Sequence, residues 1–534
     1  MQKMIGDLPA DPLASLAEFT HWAVSINTND SFSAEQRARV LMALDAAAHP
    51  YRSELAMQYL APDGRPAEGR DGDAAILRAM LDSATEFATG YGLSLETGEQ
   101  PSRWIEKNLA HVALRRVRWL ARQFTLASML DLPNIDDIWE ELHLLYGLSE
   151  ERQIFRKVIR VFPGKPQTSS IKQEYVRLLL MDISGLETLL SRDIELVFRI
   201  AGRVAASARL ELNPISGATC AIEPHGSSRP IAVRRLSGSD KPVLYLDAFN
   251  CLPRLKAMFE RNVDFDPSDT DTMFGSGYTL RERNAMIGRL IEFWGPTPPQ
   301  RRFKRVALDN VALIKIGFDN LAGVIKPLAQ GDWQVPDGAA SQMQIVLGDT
   351  ARMKKLSSPN KALADTRIQL VDASIAGLGL LVARKEASWA RLGTLIAVFV
   401  EPGPDWIVGA LRRIGAEGKF LRLGIAIFSR QPRLAWFRLE ATGYASVWEE
   451  EQRHERNFLE HFQRGILVNA DRAPLGSGEI LLPPGVADRG SRLDIPLAQG
   501  VQRIRISAVR EATESFHRAA FEPLGVTPYA VKEK

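Results

Sequence analysis

The chain has 534 residues, 45% of them hydrophobic and 25% charged, which is typical of a globular protein with several domains. Its 67 Lys and Arg nearly balance its 64 Asp and Glu, which excludes a strong overall field toward nucleic acid or an anionic membrane. The only cysteines, Cys220 and Cys251, lack CxxC spacing, which argues against a disulfide framework or a thiolate metal site.

The sequence predicts neither a signal peptide nor a membrane-spanning helix. Residues 1–13 contain two Asp and two Pro instead of a basic segment followed by an apolar run. The longest apolar stretch, residues 375–383, has about half the length that a spanning helix needs and contains two glycines. We therefore expect a cytoplasmic protein.

Residues 1–210 are predicted to form a helical domain. Three serines are each followed three positions later by Gln or Glu, a spacing typical of capping boxes at helix starts: Ser33, Ser170 and Ser184. Two neighbouring helices, 103–124 and 136–147, carry opposite charges, so we expect the arginines of the first to pair with the acids of the second. The alternative, nucleic-acid binding by the arginine-rich helix, is disfavoured because this acidic neighbour offers sufficient partners.

Residues 211–298 are predicted to be a mixed α/β segment that ends in a linker. Residues 219–223 and 242–247 favour short strands between turn-forming clusters. Thr279 and Glu282 form a further capping box, which opens a helix that the Pro-rich residues 295–299 must stop.

Strands dominate after this joint, and residues 299–442 are predicted to form a small antiparallel barrel. Apolar residues alternate with a period of two over residues 367–370 and 421–427, which places every second side chain on a buried face. Similar β-prone runs are 306–316, 395–400, 406–411 and 434–439. Because Gly and Pro turns, and no helical crossovers, join these runs, the pattern favours a barrel.

Residues 443–534 are predicted to form a helix followed by a β-rich segment. An amphipathic helix is expected at 448–464, strands follow it, including one at 502–506, and a last helix is expected near 511–520. The predicted fold class is thus multidomain α+β: a helical array, then a β-barrel, then a further β-rich segment.

Two short motifs carry the strongest indication of function. The first is an RxxxR pattern after the linker, made by Arg301 and Arg305, with Arg302 between them as a possible further contact. A guanidinium group donates two parallel hydrogen bonds to a phosphate or to guanine O6 and N7, and its face stacks on a base. These arginines therefore suit an anionic purine ligand.

The second motif is a DxSxxG pattern within the strand-rich region, made by Asp372, Ser374 and Gly377. The Asp372 carboxylate can accept hydrogen bonds from N1 and N2 of guanine, which would give base selectivity. The Ser374 hydroxyl can reach a phosphate or a base, and Gly377 lets the backbone turn tightly and approach a ligand.

These motifs, in this order, resemble those of the PilZ family of bacterial cyclic di-GMP receptors over about residues 298–440. The resemblance implies that Arg301 and Arg305 wrap the dinucleotide from the segment before the first barrel strand, while Asp372, Ser374 and Gly377 hold it on the barrel surface. One departure is the long separation of the motifs, for which we expect an insertion at 329–365.

The leading hypothesis is a non-enzymatic cyclic di-GMP receptor in which the ligand, rather than any cofactor, changes the domain arrangement or the binding of a protein partner. The alternatives are a PilZ-like scaffold that binds proteins and no nucleotide, and a nucleic-acid-binding module.

No catalytic residues are predicted. His454 and His461 share one helix face, but no third metal ligand is evident, so no metal site is predicted either.

Overall fold

The computed structural model describes residues 8–60, 70–96, 102–132, 136–162, 167–224, 226, 228–233, 243–263, 277–296, 298–299, 303, 305–328, 366–403, 405–439, 463–468, 475–497 and 500–528. The chain divides into two compact units, which we call unit 1 (Met1–Arg301) and unit 2 (Arg302–Lys534). As the sequence predicts, the fold is multidomain α+β, with a helical region first and closed β-barrels after it.

Unit 1 is mainly helical. Its described helices are α1 (Pro12–Asn27), α2 (Ala34–Leu60), α3 (Arg70–Leu95), α4 (Arg103–Met129), α5 (Asp136–Glu151), α6 (Ile171–Asp182), α7 (Ser191–Val204), α8 (Leu252–Val263) and α9 (Leu280–Phe293). One continuous core of buried apolar side chains extends along this unit from Leu16 to Trp294. None of the helices in the described part of the chain is long and apolar enough to cross a membrane.

Short strands complete unit 1. Strands β1 (Ile159–Arg160) and β2 (Thr168–Ser169) pair with each other, and a second sheet has the order β3-β6-β4-β5. Its strands are β3 (Arg209–Glu211), β4 (Cys220–Ile222), β5 (Ile231–Ala232) and β6 (Leu244–Asp247). Strands β4 and β6 confirm the two β-prone runs that the sequence indicates in this region.

Most of the predicted helix starts are confirmed. Ser33 and Gln36 exchange side-chain-to-backbone hydrogen bonds of 3.0 and 3.2 Å, and Thr279 and Glu282 form a full capping box. The box at Ser184 is wrong, because the hydroxyl of Ser184 donates back to Leu180 O (2.6 Å) inside α6. The next α-helix, α7, begins only at Ser191.

The charge pairing of α4 also differs from the prediction. Arg116 contacts Glu141 on the acidic helix α5, as expected. Three other arginines of α4 contact the helices α2, α6 and α7 instead: Arg115 contacts Asp45, Arg118 contacts Glu174 and Arg122 contacts Glu195. The reason is that α4 is buried around most of its circumference, so its arginines meet carboxylates from several helices packed around it.

Six strands of unit 2 form a closed antiparallel barrel, barrel 1, in the order β10-β11-β12-β9-β8-β7. They are β7 (Val306–Ile316), β8 (Thr366–Ala373), β9 (Gly377–Ala383), β10 (Leu395–Val400), β11 (Ile407–Glu417) and β12 (Phe420–Ser429), with helix α10 (Phe318–Ala322) after β7. The alternation read from the sequence is confirmed, since Ile368 and Leu370 of β8 and Leu423 and Ile425 of β12 lie in the barrel core. The predicted insertion, 329–365, lies outside the described residues.

Six further strands close a second barrel, barrel 2, in the order β13-β14-β15-β18-β17-β16. They are β13 (Arg433–Leu439), β14 (Gln463–Leu467), β15 (Gly478–Leu482), β16 (Arg492–Leu497), β17 (Gly500–Ala512) and β18 (His517–Thr527). The run at 434–439, expected in the first barrel, is β13 and belongs to the second. A third apolar cluster, with Leu321, Val408, Ile466 and Phe516, packs the two barrels together.

The predicted last helix is wrong. Residues 511–520 span the end of β17, a turn and the start of β18, whose ladder pairs Ala512 with His517. Helix-compatible residues there adopt strands because each strand pairs on both sides within the barrel, and such tertiary pairing outweighs local propensity. The strand expected at 502–506 is confirmed as part of β17. Of the helix expected at 448–464, residues 448–462 lie outside the described residues, whereas Gln463 and Arg464 begin β14.

Barrel 1 depends on a close approach of β11 to β12 at Gly409. A Cβ at this position would collide with the carbonyl oxygen of Ala426 and lie 2.8 Å from Ile425 Cγ2. We predict that Gly409→Ala lowers the stability of barrel 1 by about 1–3 kcal/mol, because the added methyl group overpacks the contact between the strands. Hydrogen exchange of the β11 and β12 amides, measured in the full chain, should become faster as a result. Gly415→Ala on the same strand is the control, because its Cβ would meet nothing nearer than 3.9 Å; equal exchange in the two variants would contradict the prediction.

Candidate functional site

The structure brings four of the six predicted site residues to one place on the outer wall of barrel 1. Arg305 directly precedes β7, Asp372 lies near the end of β8, and Ser374 and Gly377 bound the turn between β8 and β9. Arg305 donates to Asp372 Oδ1, so residues far apart in the sequence meet. Arg301 and Arg302 lie outside the described residues.

A β-bulge turns Asp372 outward. Leu370 pairs with Leu380, and both are in the barrel core, so strict alternation would place Asp372 inside as well. The register shifts between Leu370 and Asp372, and Asp372 therefore pairs with Gly379 instead. Because an extra residue in one strand reverses the faces beyond it, the bulge directs this carboxylate to the outer wall.

Two glycines of β9 make room for the site. A Cβ at Gly379 would lie 2.5 Å from Asp372 Oδ1 and 2.7 Å from its Cγ, so the carboxylate occupies the space that a side chain would take. A Cβ at Gly377 would lie 2.9 Å from the carbonyl oxygen of Ile425 on β12. Gly377 is thus required by a close approach of two strands, not by the tight turn that the sequence suggested.

Asp372 is shared by two arginines. Its Oδ1 accepts from Arg305 and its Oδ2 accepts from Arg422 Nη2 at 2.8 Å, and together these contacts leave the residue 7% exposed. The hydrogen bond from Arg422 to Asp372 raises the pKa of Arg422, with a smaller contribution from the charge of the carboxylate. One carboxylate therefore orients two guanidinium groups on the barrel wall.

The turn after Asp372 meets another arginine. Ser374 N donates to the carbonyl oxygen of Gly377 (2.8 Å), which closes the turn, and the Ser374 hydroxyl lies 3.3 Å from the same oxygen. Arg430 Nη2 donates to the carbonyl oxygens of Ser374 (2.8 Å) and Ile375 (3.3 Å). This exposed guanidinium group is thereby held beside the motif.

Arg422 and Arg430 are site residues that the sequence motifs do not include. For Arg422 a signal was present, because it alternates with Leu421 and Leu423, which the pattern assigns to the buried face. Arg430 has no such signal, since it follows the end of β12. Among the described residues, the site thus combines Arg305, Arg422 and Arg430 with the single carboxylate of Asp372, apart from a weaker contact of Arg422 with Glu417 (3.4 Å).

This arrangement suits the binding of an anion better than catalysis of a reaction. Among the described residues, three guanidinium groups lie around the turn after Asp372, and the Asp372 carboxylate is already paired, so the local charge is positive although the chain is nearly neutral. Within the described residues, no three His, Cys, Asp or Glu side chains are grouped so that they could hold a metal ion. His454 and His461 lie outside those residues.

Part of unit 1 is similar to a known family. Residues 1–215 match the family model described as "Cyclic-di-GMP receptor FimW, N-terminal domain". This segment covers helices α1 to α7 and strands β1 to β3, and it ends well before barrel 1. No curated protein matches the chain.

The fit of the Asp372 carboxylate over Gly379 predicts the effect of a single methyl group. Gly379→Ala should displace the carboxylate and release Arg305, because the new Cβ would overlap both carboxylate oxygens. Since trypsin must accommodate a free arginine side chain, we expect cleavage of the Arg305–Val306 bond in the folded full chain to become several-fold faster. Gly415→Ala, on the wall of the same barrel, is the control, and an unchanged cleavage rate in Gly379→Ala would contradict the model of the site.

Proposed function

We propose that this chain is a receptor for cyclic di-GMP and that the dinucleotide binds on the outer wall of barrel 1. The observation that carries the proposal is the convergence of Arg305, Arg422 and Arg430 on the turn that bears Asp372 and Ser374. The match of residues 1–215 to a family of cyclic di-GMP receptors supports the same class of ligand from an independent part of the chain. The resemblance of barrel 1 to PilZ domains remains part of the proposal.

The chemistry of the site fits a cyclic purine dinucleotide. Arginines bind phosphate oxygens and guanine O6 and N7 through paired hydrogen bonds, and their faces stack on bases. Arg305 is the residue whose partner would change, because it can exchange the Asp372 carboxylate for a ligand phosphate. The released Oδ1 would then be free to accept from guanine N1 and N2, which is the selectivity role predicted for Asp372.

In this proposal the protein is a receptor without catalytic activity, and the ligand acts by differential binding. A ligand shifts a conformational equilibrium only as far as its affinities for the two states differ. The exchange of partners at Arg305 supplies such a difference, because Arg305 contacts the ligand only when it has left Asp372. The response of a protein partner or of the domain arrangement stays a prediction from the sequence.

One feature of the same turn favours a second candidate. Ile375, at its apex, is 73% exposed, and an apolar side chain in this position suits contact with another protein. The scaffold hypothesis therefore competes with the receptor hypothesis at this turn. Isothermal titration of folded full-length protein with cyclic di-GMP separates them, because a flat trace would favour the scaffold.

Removal of Arg305 should weaken the binding of cyclic di-GMP. Arg305→Ala deletes a charge-assisted contact, so we expect a loss of about 1–3 kcal/mol, or roughly five- to 150-fold in Kd. Arg367→Ala is the matched control, because Arg367 is an exposed arginine on strand β8 of the same barrel. Titration calorimetry of both variants is the measurement; the assignment of Arg305 fails if both lose the same affinity or neither loses any.

The role of Asp372 in base selection can be separated from its role in holding arginines. Asp372→Asn keeps the shape but replaces one acceptor by a donor, which cannot receive the guanine N–H groups. We expect the preference for cyclic di-GMP over cyclic di-AMP to fall by about tenfold, as for the loss of one good base contact. An equal loss of affinity for both dinucleotides would mean that Asp372 only orients Arg305 and Arg422.

A further inference from the structure

Unit 1 contains three buried carboxylates that are each shared by two arginines. Asp45 accepts from Arg52 and Arg115, Glu174 accepts from Arg118 and Arg177, and Glu195 accepts from Arg122 and Arg199. The carboxylate side chains are 1%, 5% and 6% exposed. We call this set, which comes from helices α2, α4, α6 and α7, the arginine cluster.

The arginine cluster has an excess of positive charge, and its arginine side chains are only 3–24% exposed. Six guanidinium groups share three carboxylates in these ion pairs, so positive charge exceeds negative charge within the set. Burying charge is costly unless it is compensated, so an excess of this size requires a physical reason. The nitrogens Arg52 Nη1 and Arg115 Nη2 are buried and have no hydrogen-bond partner in the described part of the chain.

Glu174 and Arg177 of the cluster remain ionised. Burial by itself would raise the pKa of Glu174, but the charges of Arg118 and Arg177 outweigh it and hold that pKa below its usual value. Burial lowers the pKa of Arg177 to about 10, partly offset by Glu174. At neutral pH the arginine is therefore still protonated and the positive excess is present.

A cavity of about 240 Å³ lies within the cluster. Its wall includes five of the six arginines and two of the three carboxylates: Arg52, Arg115, Arg118, Arg122, Arg177, Asp45 and Glu174. Aromatic rings under the guanidinium planes fix their orientation, with Arg52 4.5 Å from the ring of Trp119, Arg115 4.1 Å from Phe162 and Arg177 3.2 Å from Phe198. Arg199 is not in the wall.

We propose that this cavity binds a small phosphorylated metabolite through its phosphate group. A phosphate dianion offers several acceptor oxygens and compensates most of the excess charge, and arginine recognises it with paired hydrogen bonds. The cavity is below the usual range for drug-sized ligands, about 300–1,000 Å³, so a sugar phosphate suits it better than a whole cyclic dinucleotide. This site is separate from the barrel site and does not depend on the function proposed for it.

The chain offers a matched pair of variants for the test. Arg122 and Arg199 contact the same carboxylate, Glu195, but only Arg122 lines the cavity. Replacing either one leaves Glu195 with one arginine, so Arg122→Gln and Arg199→Gln remove the same number of ion pairs from this carboxylate. A further variant, Ala56→Met, fills space at the cavity wall without removing any arginine.

The experiment is titration calorimetry of the full chain, in phosphate-free buffer of low ionic strength, with inorganic phosphate, ribose 5-phosphate and ribose as probes. We expect both phosphate compounds to bind and ribose not to bind. Arg122→Gln should weaken the binding of ribose 5-phosphate by about tenfold or more, because one charge-assisted contact with the phosphate is lost. Arg199→Gln should change the Kd for ribose 5-phosphate by less than about twofold, and Ala56→Met should prevent the sugar phosphate from binding.

Several results would overturn this proposal. They are the absence of phosphate binding to the wild-type chain, an equal loss in Arg122→Gln and Arg199→Gln, and displacement of ribose 5-phosphate by cyclic di-GMP in the Arg305→Ala variant. The last result would mean that the dinucleotide itself occupies the cavity. Unchanged ribose 5-phosphate binding in Arg305→Ala is the expected outcome, and it distinguishes a failure at the barrel from a failure in unit 1.

Discussion

The outer wall of barrel 1 is organised by one carboxylate between two guanidinium groups. Asp372 holds Arg305, at the entrance to β7, and Arg422, on β12, so that one side chain ties the segment after the linker to the barrel. Gly379, opposite Asp372, leaves space for the carboxylate, and the bulge before Asp372 directs this carboxylate to the outer wall. Without either feature the acid would lie in the core or be displaced, and the arginines would lose their shared partner. The arrangement depends on backbone geometry as much as on charge.

The same unit of interaction recurs through the chain. Asp45, Glu174 and Glu195 in unit 1 are each shared by two arginines, and in barrel 2 Asp494 accepts from Arg438 and Arg503. A shared carboxylate costs less to bury than an unpaired one, yet each such triad carries one net positive charge. A chain with almost balanced composition can in this way build local regions of positive potential. Composition excluded a strong overall field, and these shared carboxylates show how local positive charge arises without one.

Part of barrel 1 could be predicted, because apolar residues alternate with a period of two over residues 367–370 and 421–427, which lie in β8 and β12. The resemblance implied that Arg305 and Asp372 lie near one another at a shared ligand site, but it did not predict their direct contact. The direction of the Asp372 side chain was not predicted either, since a bulge breaks the alternation that assigns faces and leaves no mark in the residue pattern. Arg430 and the partners of α4 depend on which helix or turn packs nearby, which is tertiary information. The incorrect helix at 511–520 has the same origin, because pairing on both sides of β17 and β18 outweighed local helix propensity.

The two proposed anion sites would impose different physical demands on a ligand. At the barrel wall the arginines are partly exposed, and Arg305 is already paired with Asp372. A ligand there must therefore bind Arg305 more strongly than Asp372 does, and it would gain its affinity from several moderate contacts. In unit 1 the guanidinium groups are largely shielded from solvent and several of them stack on aromatic rings, so a ligand there would compensate charge that folding has already partly desolvated. Electrostatic interactions are stronger in such a low-dielectric setting. If both proposals hold, a small anion with one phosphate suffices in unit 1, whereas the barrel wall requires a larger ligand with several phosphate and base contacts.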